Sequence, residues 1–239
     1  MGTPRILALW SVPRSRSTAF LRMMDERGDL AVVHEPFSHV VDFGEAVIGD
    51  RVATSESGVI DALRRLSRDV PVFFKDTTDF HYPGLLADTD FLRDAAHTFL
   101  IRDPEEVIAS HFALDPDADR EAMGFRRLHE IHAAVDRVVG RRPPVITAED
   151  LVETPERTVE AYCAAVGLPY RSHALSWEPG MLPSWRRAER WHHDVAHTSG
   201  FSRGTRTYQH TVHNHARLAS YRAYHEPYYQ ALHATRLVV

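Results

Sequence analysis

An apolar run, Ile6-Leu-Ala-Leu-Trp10, empties directly into Val12-Pro-Arg-Ser-Arg-Ser-Thr-Ala-Phe-Leu21. That order predicts a short buried strand, a tight loop and the first turn of a helix. The N–H groups of a first helical turn have no partner within the helix and mark the positive end of its dipole, so such a loop faces an anion. Ser17 and Thr18 add hydroxyl donors there, and Arg14 and Arg16 add fixed positive charge. The pattern G-x-x-x-x-G-K-[ST] is absent, since no glycine lies in the loop and no lysine precedes the Ser-Thr pair, which sets the loop apart from that of ordinary kinases and NTPases. The competing reading of the stretch alone is an arginine-rich surface turn capped by a serine.

A second stretch of the same kind follows. Thr98-Phe-Leu-Ile101 reads as another buried strand and runs into Arg102-Asp-Pro-Glu-Glu-Val-Ile-Ala-Ser-His111. Asp103 suits an N-cap, Pro104 the first helical position, and Glu105 and Glu106 the positive end of the dipole, so a helix starts here. Its spacing returns Ser110 to the side of the helix near the strand exit, where Arg102 lies, and together they can hold one phosphate. Taken structurally, Arg102 instead pairs with Asp103 or Glu106 and the serine faces solvent.

The first stretch, Pro13-Arg14-Ser15-Arg16-Ser17-Thr18, resembles the 5′-phosphosulfate loop of the sulfotransferase family, Pro-Lys/Arg-Ser-x-[ST]-[ST]. The second resembles that family's 3′-phosphate motif, an arginine at a strand end and a serine two turns into the next helix. The resemblance implies 3′-phosphoadenosine 5′-phosphosulfate (PAPS) as donor. Arg14, Ser15, Arg16, Ser17 and Thr18 would then hold the phosphosulfate, and Arg102 and Ser110 the 3′-phosphate. Ser202-Arg203-Gly204, within Thr198–Thr205, partly matches the family's late basic loop, which assigns Arg203 and Gly204 to the same nucleotide.

Five short apolar runs, Arg5–Trp10, Ala31–His34, Val72–Lys75, Thr98–Ile101 and Val145–Thr147, alternate with segments of helical spacing. Helices are expected near Ser17–Glu26, Gly58–Arg68, Pro104–Phe112, Arg120–Val139 and Pro155–Val166, and again within Asn214–Leu237. Alternation of that kind makes an α/β fold of three layers, with a central, mainly parallel five-stranded sheet covered on both faces. With the resemblance, this is the phosphate-loop-like sulfotransferase architecture. No repeat or low-complexity linker interrupts residues 1–239, so a single domain is expected, with the irregular 176–213 as a lid over the cofactor.

The chain has 239 residues and a formal charge of −5, which argues against a nucleic-acid surface, although an arginine-lined pocket remains locally basic. Its single cysteine, Cys163, sits in an apolar helical pattern and reads as a core residue. No apolar run approaches bilayer length, so the expectation is a cytoplasmic protein with a small-molecule acceptor and no membrane or nucleic-acid partner. Tyr221, Tyr224, Tyr228 and Tyr229 read as packing onto the core, with a homodimer face as the alternative.

Transfer of a sulfuryl group needs a base for the acceptor proton and cations for the leaving phosphate. Arg14 stands where the family's donor-loop lysine would be. Lys75 ends an apolar run, but the family's Lys-x-His element reads Lys75-Asp76-Thr77, without its histidine. His34-Glu35-Pro36-Phe37 resembles the strand-end glutamate of bacterial and Golgi-type sulfotransferases, making Glu35 the expected base, its pKa raised by partial desolvation. The alternative is a structural ion pair between Glu35 and Arg14 or Arg16. The catalytic set is then Glu35, Arg14 and Lys75, with sulfuryl transfer from PAPS to a hydroxyl, phenol or amine. No metal is expected, although His192, His193 and His197 near Asp194 leave that question open among sixteen histidines. The rival functions are a small-molecule kinase using ATP and magnesium, and a nucleotide-binding protein of the same fold without catalysis.

Overall fold

The computed structural model describes residues 4–204 and 207–239. Seven strands occur among them: β1 (Ile6–Ser11), β2 (Ala31–His34), β3 (Ala46–Ile48), β4 (Arg51–Ala53), β5 (Val72–Thr77), β6 (Ala96–Ile101) and β7 (Val145–Thr147). The helices of the first half are α1 (Ser17–Glu26), α2 (Pro36–Phe43), α3 (Glu56–Leu66), α4 (Pro83–Ala87), α5 (Thr89–Asp94) and α6 (Pro104–Phe112). Those of the second half are α7 (Phe125–Val139), α8 (Ala148–Glu153), α9 (Pro155–Val166), α10 (Glu189–Ala196) and α11 (Ala216–His233).

Five strands form one sheet in the order β2-β5-β1-β6-β7, every pair parallel, while β3 and β4 make a separate antiparallel hairpin. The five expected strands are the five of this sheet. Parallel pairing requires crossovers, and the helices that make them cover both faces, which is why β1 is buried at all six positions. Alternate residues feed two cores: Ile6, Ala8 and Trp10 face one, Leu7 and Leu9 the other. Trp10 anchors the first, packing on Phe37, Phe74 and Tyr82 and donating from Nε1 to His97 Nδ1 at 2.9 Å. Cys163 is buried in the second core, as expected.

The chain reverses strand order at β1. From β1 it goes to the edge strand β2 and returns to β5 between the two, then crosses to β6 and β7 on the other side. A crevice opens at such a reversal beyond the carboxyl ends of the strands. The register places Ser11 beside Leu100 and Thr77, so the loops leaving β1, β5 and β6 emerge at one rim.

Two expectations need correction. Arg120–Val139 is not one helix: a 3₁₀ turn, Arg120–Met123, ends at Gly124, and α7 starts after it. The apolar spacing runs on through the glycine, but its φ of 80° is incompatible with a continuous helix. Asn214–Leu237 also shortens to α11, which carries Pro227 within it. The sequence reading passed over the hairpin and the helices α2, α4, α5, α8 and α10, none longer than eight residues.

Gly124 also supports the loop after β1. A Cβ there would stand 2.7 Å from Thr78 Oγ1 and 3.1 Å from Pro13 Cδ, whereas one at Gly140, with similar φ, meets nothing within 4 Å. Gly124→Ala should therefore cost about 2–3 kcal/mol and Gly140→Ala about 1 kcal/mol, read as denaturation midpoints at unchanged m. Equal losses at the two positions would contradict the close approach.

Candidate functional site

The loop Val12–Arg16 turns sharply because Arg14 and Arg16 occupy the left-handed region, with φ of 61° and 67°. Glu35, with φ of 46°, is the third non-glycine residue of this kind among the described residues, and all three line the same cavity. Left-handed backbone costs a non-glycine residue on the order of 1–3 kcal/mol and persists only where surrounding structure enforces it. Here Ser15 Oγ donates to Val12 O at 2.7 Å and closes the turn, so this hydroxyl proton is spent within the loop. The first bond of α1 is Phe20 N–H to Arg16 O, which leaves the N–H groups of Ser17, Thr18 and Ala19 at the open end of the helix.

The loops after β1 and β6 meet. Arg102 Nη1 donates to Arg14 O at 2.9 Å, and Arg14 Nε donates to Ser110 Oγ at 3.0 Å. Arg102 also pairs with Glu106, the structural alternative considered above, while its Nε is buried without a partner. Arg102 thus braces the first loop as well as lining the cavity.

Residues 176–204 form a roof over this junction, and Trp177 and Trp185 are buried in the second core beneath it. Arg14 Nη1 donates to Trp191 O at 2.9 Å and its guanidinium pairs with Asp194 at 3.6 Å. Arg16 donates to Ser202 O and Arg203 O, and Thr18 Oγ1 shares a hydrogen bond of 3.1 Å with His192 Nδ1. Arg203 and Gly204 line the cavity, with Arg203 turned to an ion pair with Glu153. Thr205, the end of the expected late loop, lies outside the described residues. Burial, followed by the charge of Arg102, lowers the Arg16 pKa to about 10, which still leaves it charged at neutral pH.

On the other flank of β1, β2 and β5 pair His34 with Lys75 in register. Glu35 N–H donates to Lys75 O at 2.7 Å, and the Lys75 ammonium makes a short ion pair with Glu35 Oε1. Glu35 therefore does enter an ion pair, the alternative considered above, but with Lys75 in place of Arg14 or Arg16. The expected rise in the Glu35 pKa is also reversed. Burial pushes it up, but the Lys75 ammonium, by its charge and its hydrogen bond, leads the opposing effects that hold the carboxyl well below its usual range. The local sequence showed the burial but not the ammonium, which arrives from a neighbouring strand. Burial lowers the His192 imidazole to about 4 and His34 well below its ordinary value, so both rings are neutral near pH 7.

Asp76, which the sequence reading passed over as a functional group, sets the position of Glu35. Its carboxylate caps α2 from β5: Oδ2 accepts from Phe37 N–H at 2.6 Å, and Oδ1 from Ser38 N–H at 3.2 Å and the Ser38 hydroxyl. Its oxygens supply the missing acceptors of the first turn, while burial, followed by the charge of Glu35, raises the Asp76 pKa to about 7. Pro36 at the first helical position was the available signal for this helix start.

The cavity bounded by these loops is about 1030 Å³. It runs from the junction of Arg14, Arg102 and Ser110 past Lys75 and Glu35 to walls of Phe43, Asp79 and Phe80. Trp191 borders it with the guanidinium groups of Arg14 and Arg190 over its ring. Such a space has room for a nucleotide-sized anion against the arginines and a second molecule beside Glu35.

A sulfotransferase-domain family model matches residues 4–236. The curated relatives include branched-chain-amino-acid aminotransferase-like proteins 2 and 1 of Arabidopsis thaliana, 26% identical over 206 residues and 27% identical over 213 residues. The matches cover 82% and 84% of this chain but 36% and 37% of those proteins, so the chain spans little more than a third of their length. Among solved structures, sulfotransferase STF9 from Mycobacterium avium aligns with a TM-score of 0.52 at 10% identity, covering 100% of this chain and 78% of that one. The sulfotransferase domain from the Synechococcus PCC 7002 olefin synthase aligns at 0.50 and 17% identity, covering 94% and 95%. These two share its fold. With the family match running from before β1 to beyond α11, the chain belongs to the sulfotransferase family.

Proposed function

We propose that the protein transfers a sulfuryl group from PAPS to a hydroxyl, phenol or amine of a small molecule and releases adenosine 3′,5′-bisphosphate. The observation that carries this reading is the junction at the β1–β6 rim, where Arg14 and Arg102 stand together above the open end of α1. One dianionic and one phosphosulfate group on a single adenosine derivative match that concentration of cations. Arg14, Ser17, Thr18 and the N–H groups of α1 take the phosphosulfate. Arg102 and Ser110 take the 3′-phosphate, and Arg203 with Gly204 closes over the nucleotide. Trp191 offers the adenine a face.

The ion pair between Lys75 and Glu35 gives the reaction an order. While paired, the carboxylate is a weak base. Phosphosulfate arriving beside Lys75 competes for its ammonium, and a buried carboxylate relieved of that charge becomes more basic. The acceptor oxygen or nitrogen then attacks sulfur as its proton passes to Glu35, and the bond between sulfur and the bridging oxygen breaks. Lys75 and Arg14 receive the charge developing on the leaving phosphate. Asp76 keeps Glu35 in place throughout by holding the start of α2. In this scheme the acceptor lies against Phe43, Phe80 and Asp79.

Adenosine 3′,5′-bisphosphate should raise the melting temperature more than ADP or ATP with magnesium does, and Arg102→Ala should abolish that selectivity. Preferential stabilisation by ATP with magnesium would instead favour a kinase. With labelled PAPS and a panel of phenols, alcohols and amines, Glu35→Gln should lower kcat on the order of a hundredfold while donor binding is kept or tightened, because the Lys75 ammonium is released from its ion pair. Full activity in that variant would remove Glu35 from the mechanism. Bisphosphate binding with no transfer to any acceptor would identify a binding protein that keeps the fold without turnover.

A further inference from the structure

Three imidazoles surround Glu35, and the transfer scheme uses none of them. His34, 5% exposed, has both ring nitrogens buried without a hydrogen-bond partner, and its Nε2 lies 3.6 Å from Glu35 Oε1. His39 sits one helical turn beyond Glu35 on α2, where its N–H donates to Glu35 O, and its Nε2 is also buried and unpartnered. His192 descends from the roof with its ring 4.7 Å from that of His34. Thr18 occupies His192 Nδ1, which leaves Nε2, again buried and unpartnered.

Buried polar nitrogens without partners are costly, and several around one carboxylate form a donor set rather than a packing accident. One ligand atom from each of His34, Glu35 and His39 lies within 4.8 Å of the others. A tetrahedral centre with bonds of about 2.0–2.1 Å needs its ligand atoms about 3.4 Å apart, so small side-chain rotations complete the geometry. Imidazole nitrogen with one carboxylate oxygen suits a borderline cation and not magnesium or calcium.

We propose that His34, Glu35 and His39 bind a divalent cation of the zinc type in competition with the Lys75 ammonium, with water in the fourth position. The ion and the ammonium cannot share Glu35 Oε1 without strong repulsion, so metal binding breaks the ion pair and occupies the carboxylate. Zn2+ is thus an inhibitor of transfer.

The test is titration of the intact protein with Co2+, in the absence of donor and acceptor, followed by the visible d–d absorption of tetrahedral cobalt and its displacement by Zn2+. One site is expected, lost in His39→Ala, kept in His193→Ala and tightened roughly tenfold or more in Lys75→Met, where the competing charge is gone. A band that survives His39→Ala with unchanged circular dichroism, disappears in His193→Ala, or weakens in Lys75→Met would overturn the site. The Lys75→Met arm decides the matter if His39→Ala does not fold. Only the accompanying loss of transfer activity rests on Glu35 being the base. The cobalt spectrum does not, so failure of either reading shows separately.

Discussion

Parallel pairing of β1 with β5 on one side and β6 on the other is the constraint on which the site depends. A parallel strand delivers its carboxyl end to the same rim as its neighbours, and the register aligns Ser11 with Thr77 and Leu100. Three loops distant in sequence are thereby brought together without long excursions of backbone. The cation junction of Arg14 and Arg102 straddles β1 and β6, while the Lys75 and Glu35 pair straddles β5 and β2. Sheet order therefore sets these two clusters on opposite sides of the boundary between β5 and β1.

What could be read from the sequence was local. The loop after β1 announced itself because an apolar run, two arginines and a Ser-Thr pair are contiguous, and α6 because Asp103, Pro104 and two glutamates occupy its first turn. The five sheet strands followed from apolar runs alone. Pairing across the sheet was a different matter. Nothing beside Glu35 in sequence says that Lys75 will stand on its carboxylate, since that requires β2 to lie next to β5, and the sign of the Glu35 pKa shift went with it. The roof was legible as an irregular stretch of Trp, His and Arg but not as a helix reaching Thr18, because α10 is too short for a periodic apolar face. Gly124 misled for the opposite reason, an apolar period that continues through a residue whose backbone does not.

Glu35 carries several demands at once. Its backbone is held in a left-handed turn, its N–H binds the strand that supplies Lys75, its carboxylate meets that lysine, and Asp76 fixes the helix it begins. A residue so heavily constrained has little positional freedom, which is what the base role proposed for it requires.

The backbone carbonyls of the roof that receive the Arg14 and Arg16 guanidinium groups have one further effect. Much of the water around these guanidinium groups was already stripped away as the chain folded, and neutral oxygens now stand where hydration would be. An anion that exchanges those oxygens for its own therefore has less of the dehydration cost that weakens most charged contacts left to meet. The folded protein already carries that cost, as part of the stability it gave up to fold around two half-sheltered positive charges.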